Sequence, residues 1–236
     1  MGRRFHPANA NSPREGAVHP ASRLTAARFL AIGSALLLLP AIAGCGKALF
    51  FMNADKMKPV AAECNKLAGH KVAVVVWTDQ STLDMDPFAE SRTAQQVVYF
   101  LQLNRSKDEL KGTTLIDPSR VTRLQEQLGV AGSAAPNNEV GEKLGADFVL
   151  RVDLFEYTTR APEANGLIKG RVGGNVAVQR VGQVEPLYRS EVSTEFPEGS
   201  KIGVLDRTDE EVLNETLRTF GERVARKFYN HEVKYE

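Results

Sequence analysis

The chain has 236 residues, 30 of them lysine or arginine and 29 aspartate or glutamate, with a formal net charge of +1 and 42% hydrophobic residues. So even a balance argues against a nucleic-acid platform, which needs a dense positive surface to displace counterions from phosphates. Two cysteines, Cys45 and Cys64, permit at most one disulfide.

In chain order, Arg14, Arg23 and Arg28 precede an apolar run from Phe29 to Ile42. The run is shorter than the ~20 residues a membrane-spanning helix needs, and it suits the hydrophobic region of a secretory signal peptide. It ends in Ile42-Ala43-Gly44-Cys45, small residues directly before a cysteine. This resembles the lipobox of bacterial lipoproteins. The resemblance implies recognition of Ile42, Ala43 and Gly44 by signal peptidase II, cleavage after Gly44, and lipidation of Cys45. The competing reading is a plain signal peptide cut at an Ala-x-Ala site. Two or three acyl chains at ~0.8 kcal/mol per buried CH₂ would make the anchor effectively permanent.

Residues 1–44 are thus the expected signal peptide, 45–69 a lipidated tether, and 70–236 one periplasmic domain. The signal holds five of the arginines and one glutamate, which leaves 25 basic and 28 acidic residues and a net charge of about −3. A domain of this size can bury a substantial core. With Cys45 lipidated, Cys64 has no intramolecular partner, and it reads as a small apolar filler. Phe50, Phe51 and Met52 lie close to the anchor, where they can meet the membrane interface or pack on the domain.

The run Val72 to Val76 reads as a strand buried on both faces, ending in a polar loop at Thr78-Asp79-Gln80-Ser81. Asp86 as N-cap and Pro87 in the first turn open a helix to about Leu101. Leu115-Ile116 is a short second strand, and Asp117-Pro118 repeats the start signal for a helix carrying Val121, Leu124 and Leu128. Gly129 to Pro136 reads as a loop. Asn138 is the expected cap of a short helix over Glu139 to Leu144, which Gly145 stops. From Phe148 apolar and charged residues alternate, predicting a strand with one solvated face. Leu167 to Arg180 and Leu187 to Phe196 form a hairpin, and Asp209 to Phe228 carries apolar residues at helical spacing.

This order gives an α/β fold of the α+β mixed-sheet kind, one domain with helices packed on a central sheet. The Val72–Val76 strand, Leu115-Ile116-Asp117, the Gly145-to-Leu150 run Gly-Ala-Asp-Phe-Val-Leu and the charged hairpin resemble the periplasmic domain of an envelope group. That group includes the CsgG-type curli-secretion lipoprotein, the LpoB-type activator of penicillin-binding proteins and the amino-terminal domain of TolB. The resemblance implies a location in the bacterial envelope facing the periplasm, with inner and outer membrane both open. The CsgG-type pore inserts amphipathic hairpins, whereas Leu167 to Phe196 holds Lys169, Arg171, Arg180, Glu185, Arg189, Glu191 and Glu195. No clean apolar face of ~9–11 residues remains for a barrel strand, so no channel is expected.

Chemistry-bearing residues are sparse. His70 and His231 lack neighbours at ligand spacing, so no metal site is predicted. Asp79, Asp84 and Asp86 lack the glycine and distal glutamate of a calcium loop and read as a solvated loop plus a cap. Gly170-Arg171-Val172-Gly173-Gly174 follows no βα turn and reads as bulge or loop. No catalytic residue and no cofactor is expected. Two functions remain: a non-enzymatic binding or assembly module, or a hydrolase acting on an envelope polymer. The first expects the bilayer as partner through Cys45 and an envelope protein at a charged sheet face carrying Arg151 and Arg189. The second expects ionisable groups converging in a deep cleft.

Overall fold

The computed structural model describes residues 57–128, 137–164, 166–200 and 202–234. Cys45, the lipobox residues Ile42, Ala43 and Gly44, the aromatic pair at 50–51 and the 129–136 segment lie outside them. The fold is mixed α/β, as the element order predicts. Its sheet has the strand order β3-β2-β4-β5-β6, with β2 (Lys71–Trp77) parallel to β3 (Thr114–Leu115) and to β4 (Phe148–Thr158). Strands β5 (Gly170–Arg180) and β6 (Tyr188–Phe196) continue it antiparallel. A separate ribbon pairs β1 (Met57–Val60) with β7 (His231–Lys234).

Strand β2 is buried on both faces because it is flanked on both sides. Val72, Val74 and Val76 point into one apolar cluster and Ala73, Val75 and Trp77 into the other. The first cluster lies under two long helices, α2 (Ala89–Leu103) and α5 (Asp209–Arg226). The second lies under α3 (Pro118–Gln127) and α4 (Asn137–Leu144) and covers only the β2 and β4 side of the sheet. Beyond β4 that face has no helix among the described residues.

Local signals explain most starts and stops. Asp117 accepts the Ser119 N–H at 2.8 Å ahead of Pro118, and Thr208 and Glu211 close a reciprocal capping box on α5. Gly145 ends α4 at φ +62°, a conformation costly for other residues. Helix α5 approaches α2 at Gly221, where an added Cβ would stand 2.8 Å from the Gln96 carbonyl carbon. The glycines of 170–174 have a similar use. Gly170 and Gly174 leave room for Thr216 and Phe220 of α5, and Gly173 lies beneath Phe155.

Four expectations are corrected. The polar segment after β2 contains a short helix, α1 (Gln80–Met85), because Asp79 accepts the Thr82 N–H at 2.8 Å. Helix α2 begins at Ala89, with Asp86 accepting the Phe88 N–H at 3.0 Å just ahead of it. Asn138 lies inside α4 and braces the β5–β6 turn, accepting the Gly182 N–H at 3.1 Å. Residues 57–69, read as tether, carry β1 and two core side chains, Cys64 and Leu67. The Glu63 and Cys64 N–H groups both donate to the Lys227 carbonyl, and Lys227 Nζ donates to Glu63 at 2.7 Å, pinning this segment to the end of α5. Burial also holds the Cys64 thiol above its ordinary pKa, in keeping with a filler role.

Strand β4 carries one irregularity. Its register with β5 shifts between Leu154 and Glu156, leaving Phe155 as an extra residue. Tyr157 beyond it points into the core, where its hydroxyl donates to Asp86 at 2.6 Å. Burial, with the Asp86 carboxylate beside it, raises the Tyr157 pKa well above its ordinary value.

Candidate functional site

The uncovered half of the sheet, over β4, β5 and β6, is polar. Pairing registers place Arg151, Ala177 and Arg189 in one row across the three strands, and Asp153, Asn175 and Glu191 in the next. These side chains share one face because strand residues two apart point the same way. With Gln179 they line an open groove of about 700 Å³. The two residues singled out by sequence, Arg151 and Arg189, thus meet at one site.

They differ in character. Arg189 is exposed, and among the described residues its guanidinium has no hydrogen-bond or ion-pair partner. Arg151 is not the exposed charge that alternation predicts, its side chain being only 16% accessible. It donates to Asp153 through Nε at 2.7 Å and Nη2 at 2.7 Å, and it lies 5.9 Å from the Trp77 ring. Asn137, on α4, holds it from the other side and also donates to Gln179 at 2.6 Å. A largely covered arginine held this way is a fixed part of the groove floor, and Arg189 is its exposed charged wall.

A second cleft, of about 580 Å³, opens where α1, α2 and α3 converge beyond the carboxyl ends of β2 and β3. It is lined by Leu83, Phe88, Glu90, Ser119, Arg123 and Gln125 among others. Glu90 is the ionisable group here whose pKa is displaced. Burial raises it, and the hydrogen bond accepted from the Thr78 N–H at 3.1 Å opposes that rise only in part. Gln125 is buried and spends its amide on the Val76 carbonyl at 2.9 Å. Glu90 and Gln125 therefore both serve the strand end, while Arg123 and Glu126 line the cleft's other side.

A raised carboxyl pKa means that the folded state holds the proton more tightly than the unfolded one. Stability contributed by Glu90 then falls as pH rises through the folded-state pKa, because the ionised form must stay half-buried. Glu90→Gln keeps an acceptor for Thr78 and removes that cost. The substitution is expected to raise the melting temperature at pH 7 and to have no such effect below pH 4; a lower melting temperature at pH 7 would contradict this account.

The remaining sequence candidates are structural. Asp79 accepts the Ser81 hydroxyl at 2.6 Å, which with the Thr82 N–H bond keeps its carboxyl below the usual range. Asp84 accepts from Gln80 Nε2 at 2.9 Å, and Asp86 has Tyr157, Phe88 and Arg92 around it. His70 stands 3.7 Å from Asp147 and edge-on to Phe148, and His231 sits in the ribbon. Among the described residues no group of three metal-ligating side chains converges, and no helix is long and apolar enough to cross a membrane.

No protein-family model and no curated protein sequence matches the chain. Among solved structures, the PelC dodecamer from Paraburkholderia phytofirmans is similar at 9% identity and a TM-score of 0.42, over 75% of this chain and 99% of that one. Lipoprotein GNA1162 from Neisseria meningitidis is similar at 15% identity and a TM-score of 0.40, over 66% and 96%. The C-terminal domain of LpoB from Salmonella enterica is similar at 12% identity and a TM-score of 0.33, over 54% of this chain and 83% of that domain. Likeness at this level assigns no activity.

Proposed function

We propose that this protein is an envelope lipoprotein, anchored through Cys45, whose domain acts as a non-enzymatic binding or assembly module facing the periplasm. The anchor rests on Ile42-Ala43-Gly44-Cys45 behind a short apolar run. The binding role rests on one observation: the half-sheet over β4 to β6 carries a polar groove with a fixed arginine, Arg151, and an unpartnered one, Arg189. Such a face suits a protein partner with complementary charge, because rim charges steer encounter and fix register. The hydrolase alternative needs paired catalytic groups, and Glu90, the cleft's half-buried carboxyl, is already committed to the Thr78 N–H at the end of β2.

Two measurements test the two halves. Mass spectrometry of the mature terminus should find a diacylglyceryl thioether on Cys45, and Cys45→Ser should leave unprocessed precursor; an unlipidated terminus beyond Cys45 refutes the anchor. A photo-crosslinking residue placed at Asn175, in the middle of the groove, should trap an envelope protein that the same residue at Gln102 on α2 does not. Arg189→Ala should weaken that capture while changing stability by no more than about 0.5 kcal/mol, the usual scale for a surface change. Equal capture from both positions, or none from Asn175, would refute the groove.

A further inference from the structure

Strand β6 ends the sheet, and its free edge has a defined pattern. The Val178 carbonyl accepts the Leu187 N–H at 2.8 Å and therefore faces β6. In an antiparallel ladder inward and outward residues alternate, so Tyr188, Ser190, Val192, Thr194 and Phe196 bond to β5. Arg189, Glu191, Ser193 and Glu195 then direct their backbone groups outward. The Ser193 carbonyl agrees, since its partner is Arg223 Nη1 at 2.8 Å and not β5. A row of outward N–H and C=O groups is a template for another strand.

The sequence of that edge complements itself. Two copies of Tyr-Arg-Ser-Glu-Val-Ser-Thr-Glu-Phe, laid antiparallel about Val192, put Tyr188 opposite Phe196, Arg189 opposite Glu195, Ser190 opposite Thr194, Glu191 opposite Ser193, and Val192 opposite itself. The first three are the cross-strand pairings that stabilise sheets: aromatic with aromatic, opposite charges, hydroxyl with hydroxyl. Each occurs twice, once on either side of the dyad, as an isologous interface requires. Outward residues must oppose outward residues, so the register can slip only in steps that keep that match. One step in one direction sets Glu191 against itself; one step in the other sets Glu191 against Glu195 twice. A further step restores an Arg189–Glu191 match but pairs only five residues of β6.

We propose that two copies of this chain join antiparallel along their β6 edges, about a dyad at Val192, to form one continuous ten-stranded sheet. Arg189, which has no partner among the described residues of one copy, gains Glu195 of the other copy. Glu195 already receives Lys169 Nζ on Oε2 at 2.8 Å, so each end of the interface becomes a small charge network. A groove of about 380 Å³, lined by Glu191, Val192 and Ser193 together with Val60 and Val233 of the ribbon, opens beside the centre of the edge at the position of the dyad. Arg223, 37% exposed, swings off the Ser193 carbonyl, and the Glu191 N–H of the second copy takes its position.

The test is the protein mass per particle of the purified full-length chain in detergent, read by light scattering across a dilution series. Two chains per particle are expected. Arg189→Glu turns two attractive pairs into two repulsive ones and should raise the dissociation constant roughly tenfold to a hundredfold. Ser193→Pro removes an outward N–H that β5 does not use and should also give single chains, with circular dichroism confirming the fold of each variant. Wild-type chains that stay single at the highest soluble concentration would overturn the proposal. So would a dimer or larger assembly that neither substitution weakens.

Discussion

Phe220→Ala is expected to lower the free energy of unfolding by about 3–5 kcal/mol, the range for deleting a fully buried aromatic ring. Phe220 has 0% exposure and projects from α5 onto the sheet, its ring tip 3.2 Å from the place where a Cβ on Gly174 would stand. The glycine and the ring are complementary, so nothing nearby can collapse into the space that alanine leaves. Domains of this kind have only ~5–15 kcal/mol in total, so a third or more of the stability would go. Urea denaturation followed by tryptophan fluorescence measures it, because Trp77 lies in the same folded unit. A loss below about 1 kcal/mol would mean that α5 does not hold its observed seat on the sheet.

Gly221→Val is expected to cost roughly 3 kcal/mol or more by the opposite mechanism, overpacking. The adjacent residue of α5 faces α2 instead of the sheet, and an added Cβ would meet the Gln96 carbonyl carbon, Cβ and oxygen at 2.8–2.9 Å. Two of those atoms are backbone, so relief requires the two helices to part. The gain in helix propensity on replacing glycine, less than about 1 kcal/mol, does not offset that. The same denaturation experiment reads the loss, and a variant as stable as the parent would contradict the close crossing of α2 and α5.

The parts of the fold legible in the sequence were those whose cause is local. Six consecutive apolar residues from Val72 require cover on both faces, and Asp117-Pro118 states where a helix begins. The ribbon was hidden because its cause is distant. Met57–Val60 is exposed and contains Pro59, and it is a strand only because His231–Lys234, at the other end of the chain, pairs with it. Helix α1 was hidden for a different reason. Its six residues are short for independent helicity, and one aspartate cap and the surrounding fold hold it. At the groove, alternation located Arg151 and Arg189 on one face but could not show that Trp77, Asn137 and Asp153 converge on the first and leave the second free.

The extra residue at Phe155 changes what the far end of β4 can be used for. A strand has a frame of two, and one inserted residue reverses which side every later residue serves. Before it, Val152 and Leu154 belong to the core and Arg151 and Asp153 to the groove. After it, Tyr157 belongs to the core and Glu156 to the polar side, where it meets Arg171 at 3.6 Å. Pairing Phe155 as an ordinary ladder residue would turn Tyr157 outward, carrying its hydroxyl away from Asp86 and untying the start of α2 from the sheet. The spelling of β4 therefore has two frames joined at one aromatic residue, and the joint lets a single strand floor the groove at one end and brace the first helices at the other.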